Sequence, residues 1–122
     1  MTKPKVYVVQ KQQRFDARSG DLVPRYDTIN RAAQYGEMEY LLSPTAGPFR
    51  SESIIAELKE KLKNFTDQDY LVLIGNPCLI GWAVAIAAQR SGGKVNLLQW
   101  SGRNDSYVEI RSQGLTDWIS VG

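Results

Sequence analysis

The chain has 122 residues, with 15 Lys and Arg against 13 Asp and Glu, one cysteine and no histidine. That length suits a single domain over residues 1–122, able to bury roughly two thirds of its unfolded surface without staples. A net charge of +2 is too small to steer the whole molecule toward a polyanion. The missing histidine excludes His-based triads, and a lone Cys78 excludes an intramolecular disulfide and the usual structural zinc sites within one chain.

A single cysteine fits a reducing compartment. No charged-then-apolar leader opens the sequence, and the longest apolar run, residues 78–88, is too short to span a bilayer. The expectation is a soluble cytoplasmic protein without a membrane partner. Charge is nonetheless uneven along the chain. Through Arg31 bases outnumber acids, whereas between residues 32 and 69 the acids prevail.

In chain order, residues 5–10 are short, β-branched and contiguous in their apolar character, which predicts an interior strand. Residues 11–26 are polar and basic, with a turn at Ser19-Gly20-Asp21. They read either as a flap of two short strands folded about Gly20 or as a mobile binding loop. Asp27 is placed to cap a helix over residues 28–35 that stops at Gly36, with Ile29, Ala32, Ala33 and Tyr35 toward the sheet. Residues 37–42 predict a second, less buried strand. Ser51 or Ser53 should cap the next helix, in which Ile54, Ile55, Leu58, Leu62 and Phe65 recur at helical spacing and Glu57 pairs with Lys61.

The unbroken apolar run of residues 70–74 predicts a strand buried on both faces of a parallel sheet. Asn76 is a cap and Pro77 a first helical residue, because proline lacks an N–H that would have had no partner there. The helix continues to about Arg90, stops at Ser91-Gly92-Gly93, and returns as a strand over residues 94–100. Within it Gly81, Ala85 and Ala88 share a face, which predicts a smooth stripe packed closely against the sheet. Residues 107–111 alternate and predict an antiparallel edge strand, and residues 113–122 a tail. The alternation of strands and helices indicates a Rossmann-like three-layer α/β sandwich, its sheet mostly parallel with an antiparallel C-terminal edge hairpin.

Residues 69–77, Asp-Tyr-Leu-Val-Leu-Ile-Gly-Asn-Pro, with the alanine-rich helix after them and Leu97-Leu98-Gln99-Trp100, resemble small α/β proteins encoded by tailed bacteriophages. Residues 27–42 fit the same pattern. The resemblance implies a viral or mobile-element origin and carries no mechanism.

Two kinds of site are open. Lys11, Arg14, Arg18 and Arg25, with Phe15 and Tyr26, form a basic, aromatic-bearing segment suited to nucleic acid. This favours a non-enzymatic accessory protein acting by macromolecular binding, with nucleic acid the first partner, a host or virion protein the second, and a homo-oligomer open. The alternative is a small-molecule binding protein or enzyme with a nucleotide-like anion at the Gly75-Asn76-Pro77-Cys78 turn, since ligands of open α/β sheets bind beyond the carboxyl ends of strands. Neither the Walker pattern nor Gly-x-Gly-x-x-Gly is present, and no cofactor or metal is expected. Cys78 without a histidine reads as a small buried residue. The pairs Glu37/Glu39 and Asp67/Asp69 read as surface charge, Trp82 and Trp100 as core or near-core residues, and Tyr107 and Trp118 as exposed contact aromatics.

Overall fold

The computed structural model describes residues 3–117, the Asp27 side chain excepted; Trp118 and Ile119 lie outside that range. Strand β1 (Lys5–Gln10) lies in the interior of the sheet, and its Val6 to Val9 are all buried. Alternate residues of this strand enter two different cores. Tyr7 and Val9 face one layer and Val6 and Val8 the other, which is why the apolar run is continuous rather than alternating.

Four further strands complete the sheet: β4 (Glu37–Leu42), β5 (Tyr70–Val72), β6 (Val95–Ser101) and β7 (Ser106–Ser112). Their spatial order is β4-β1-β5-β6-β7; β7 pairs antiparallel with β6, and the other pairs are parallel. From β1 the chain moves one way across the sheet to β4, and from β4 it moves the other way to β5 and β6. Right-handed crossovers then require the connections to lie on opposite faces. Accordingly, α1 (Ser51–Lys61) and α2 (Pro77–Arg90) share one core with Tyr7, Val9 and Leu71. The helix Asp27–Tyr35 packs into the other, with Val6, Val8 and Val72. This is the expected three-layer sandwich.

Residues 11–26 take the flap alternative. Strands β2 (Gln13–Asp16) and β3 (Asp21–Pro24) form a separate two-stranded antiparallel ribbon. Its turn is set by Asp16, whose carboxylate accepts from the Arg18 N–H at 3.0 Å and the Ser19 hydroxyl at 3.3 Å. Gly20 closes the turn at φ 75°, a conformation that favours glycine.

Several expectations are corrected. The helix Asp27–Tyr35 is 3₁₀ rather than α and includes Asp27, with Tyr26 in the cap position. Three residues per turn place Ile29, Ala32 and Tyr35 on one side and leave Ala33 exposed. Neither Ser51 nor Ser53 caps α1; the 3₁₀ turn Pro48–Arg50 runs straight into it, and the Ser53 hydroxyl bonds back to the Arg50 carbonyl. Strand β5 stops at Val72, because the Ile74 N–H turns back onto the Val72 carbonyl at 2.9 Å. Tyr107 is buried, whereas Cys78 is exposed.

The close-packed stripe on α2 is also absent. Leu79, Ala83, Ile86, Ala87 and Ala88 form the buried face; of the expected stripe only Ala88 belongs to it, and Gly81 and Ala85 are exposed. A Cβ at Gly81 would meet open space. Helix propensity alone then acts, so Gly81→Ala should raise stability by about 1 kcal/mol. A denaturant midpoint that fails to rise would show an unrecognised constraint at this position.

Candidate functional site

At the carboxyl edge of the sheet, two loops are tied to one side chain. Gln10 ends β1 and is 3% exposed. Its carbonyl oxygen accepts the Asn76 N–H at 2.9 Å, and its amide nitrogen donates to the Ala46 carbonyl at 2.9 Å and the Ser43 carbonyl at 3.1 Å. Its own N–H donates to the Ile74 carbonyl at 3.0 Å. Gly75 permits this: its φ is 130°, and a Cβ there would come within 2.5 Å of the Gln10 Cβ.

The Asn76 side chain accepts from the Cys78 N–H at 2.8 Å and Pro77 follows at the first helical position, as expected. The opposite edge holds the paired acids in structural roles. Asp69 accepts the Lys5 and Thr66 N–H groups, each at 2.9 Å, and Glu39 pairs with Lys5 at 3.2 Å, the bond that raises the Lys5 pKa. Among the described residues no group of three His, Cys, Asp or Glu side chains converges to hold a metal.

Beside Gln10 opens a cleft of about 660 Å³. Leu73, Ile74 and Gly75 contribute from the end of β5, and Gln12 from the end of β1. Trp100 and Tyr107 enter from β6 and β7, and Arg25, Tyr26 and Thr28 from the root of the ribbon. This lies beside the point where the chain leaves β1 for one face of the sheet and β5 for the other, where ligands of open α/β sheets bind. Cations stack on its aromatic surroundings. The Arg25 guanidinium stands 5.7 Å from the Tyr26 ring and that of Arg31 5.4 Å from Trp100. Arg31 also donates to the Asp105 carbonyl at 2.8 Å, which ties the 3₁₀ helix to the β6–β7 turn.

Tyr107 lies edge-on to Trp100, with ring centroids 5.2 Å apart, and is 5% exposed. Its hydroxyl finds no hydrogen-bond partner among the described residues. Burial pushes its pKa up; the Thr28 hydroxyl, near but outside hydrogen-bond geometry, draws it down more weakly.

The structure brings the two sequence-derived sites toward one place. Arg25, Tyr26 and Gly75 line the same cleft, although they came from rival readings. Lys11 lies over the Tyr40 ring at 5.4 Å, beside a smaller pit. Arg14, Phe15 and Arg18 lie farther out on the ribbon, away from the cleft. Asn76 and Pro77 shape the turn without lining it, and Cys78 is exposed in the first turn of α2. Sequence reasoning missed Gln10, Gln12 and Thr28. The readable signal was a glutamine closing an apolar strand, since a buried amide there must find partners.

Gln10→Leu would leave the Asn76 N–H and the two loop carbonyls without their bonds, so stability should fall by about 1 to 3 kcal/mol, read as a lower denaturant midpoint. Tyr107→Phe should do the reverse and stabilise by about 1 kcal/mol, because it removes a buried hydroxyl that has no partner among the described residues. Burial raises the folded-state pKa values of Tyr7, Tyr70 and Tyr107 above 10.0, the ordinary value. Their contribution is fully present below the unfolded pKa and is lost as pH rises through the folded ones. Unfolding midpoints should therefore drop above about pH 10, and less steeply in Tyr107→Phe.

No curated protein and no solved structure matches the chain. Residues 4–113 match the family described as Phage Pam3 gp32-like protein, a span that runs from the start of β1 to just beyond β7 and includes ribbon, cleft and both helical layers. The phage kinship implied by residues 69–100 thus has a definite form: the chain belongs to the Phage Pam3 gp32-like protein family.

Proposed function

We propose that this phage protein is a non-enzymatic accessory factor that binds nucleic acid through its β2–β3 ribbon, in the cytoplasm of the infected cell. The observation that carries this reading is the ribbon itself. It is exposed along most of its length, carries Arg14, Arg18 and Arg25, and has Lys11 at its root. Phe15 and Leu22 lie directly opposite each other and are 66% and 64% exposed. A two-stranded ribbon is marginal by itself, and leaving an apolar pair in water adds nothing to its stability. A partner that accepts cations along its length and a ring at its tip accounts for both features. A β-ribbon fits the major groove of a duplex, and exposed rings stack on the bases of a single strand.

Charge supports the same direction. From Lys11 to Arg31 the chain carries Lys11, Arg14, Arg18, Arg25 and Arg31 against Asp16, Asp21 and Asp27. Asp16 already accepts bonds within the ribbon turn, and Asp105 pairs with Arg31 at 3.4 Å. The Phe15–Leu22 pair favours a second reading, in which the ribbon grips a host or virion protein by an apolar contact.

Fluorescence anisotropy with labelled single-stranded and duplex oligonucleotides tests the proposal. Binding should be tight at low salt and weaken steeply as salt rises. Replacing Arg14, Arg18 and Arg25 together by Ala should flatten the slope of log K against log salt by about 2 to 3. Replacing Lys59 and Lys63 on the opposite helical side should leave it unchanged. No binding at low salt to either form would overturn the reading, and capture of a lysate protein lost in Phe15→Ser would then favour the second.

A further inference from the structure

We infer that the cleft between the ribbon root and the carboxyl ends of β5 and β6 holds one unstacked nucleotide, its base against Tyr26 and Trp100 and its phosphate toward Arg25. This rests on the nucleic-acid reading for the source of the nucleotide, though the cleft's chemistry is its own. Its volume of about 660 Å³ lies within the range of small-ligand sites. The walls are chemically divided. Leu73, Ile74 and the two aromatic residues form an apolar slot suited to a flat ring, and the Gln12 amide and Thr28 hydroxyl can meet the polar edge of a base. Arg25 supplies the positive charge at the ribbon side, and among the described residues none of those lining the cleft is acidic.

Two further features point to an occupant. Tyr26 is 47% exposed, so its ring is available to a ligand rather than consumed by the core. Tyr107, which also lines the cleft, carries a buried hydroxyl that finds no hydrogen-bond partner among the described residues. A strand lying along the ribbon would reach the cleft at Arg25 and Tyr26, because these two residues end the ribbon and line the cleft together.

Tryptophan emission of the full chain provides the test, with adenosine monophosphate and a short oligodeoxyadenylate titrated separately. Both should quench, and Trp100→Phe should abolish the change. Tyr26→Ala, at a half-exposed position that folding tolerates, should weaken quenching roughly ten- to a hundredfold, as expected when one stacking side chain is lost. The salt slope of oligonucleotide anisotropy should stay as it is in that variant. Quenching by the monophosphate with no oligonucleotide binding supports the cleft and identifies a free nucleotide as its ligand, while the ribbon reading fails. Quenching by the oligonucleotide alone supports the cleft with the strand as source. Retained anisotropy with no change in tryptophan emission from either probe overturns the cleft and leaves the ribbon reading standing. Quenching indifferent to Tyr26→Ala also overturns it.

Discussion

One buried amide organises the working end of this fold. Gln10 closes an interior strand and uses both ends of its side chain on loops that come from β4 and β5, separated from it by 33 to 66 residues along the chain. A hydrocarbon in its place would fill the space without specifying which loop conformations fill it. The amide specifies them, because each of its bonds fixes a backbone group that would otherwise stand unpaired at the sheet edge. Gly75 is the complementary constraint. The side chain can cross to Asn76 only where the intervening residue has no Cβ.

The same arrangement relates the site to the rest of the sheet. Helix α2 begins where Gln10 holds Asn76, and its first turn is capped by the Asn76 side chain. A change at the end of β1 is therefore felt at the start of a helix four strands later in the sequence. The cleft inherits its shape from these rigid partners on one side and from the 3₁₀ helix and ribbon root on the other. Such walls would suit the flat ligand proposed for the cleft, because ordering them has already been met by folding.

Much of this was readable from the residues. The interior strands were legible in branched apolar runs such as Tyr70-Leu71-Val72, and the cap at Asn76-Pro77 in local backbone chemistry that needs no distant partner. What was not legible depended on period or on tertiary contact. Residues 27–35 hold apolar side chains at positions compatible with either three or 3.6 per turn, and the burial of Ala32 but not Ala33 follows only from the tighter winding. Gly81 in a helix without a polar face suggested close packing, yet the buried face is defined by Leu79, Ala83, Ile86, Ala87 and Ala88. For the site, charge and aromatic content identified Arg25 and Tyr26. Nothing local could join them to Gly75, fifty residues later, because that neighbourhood is created by the sheet order.

The ribbon leaves and re-enters the body at one point, where the Arg25 N–H donates to the Gln12 carbonyl at 2.9 Å. Everything from Gln13 to Pro24 is thus a loop whose ends are already joined, and loop length costs little once the ends are fixed. Lengthening, shortening or recharging it leaves Gln10, the sheet and both helical layers with the same neighbours. The fold thereby separates a surface that is free to vary from what keeps it folded. If the ribbon carries the proposed contact, a phage lineage pressed to change its partner can rewrite a dozen residues there without having to rebuild the core beneath them.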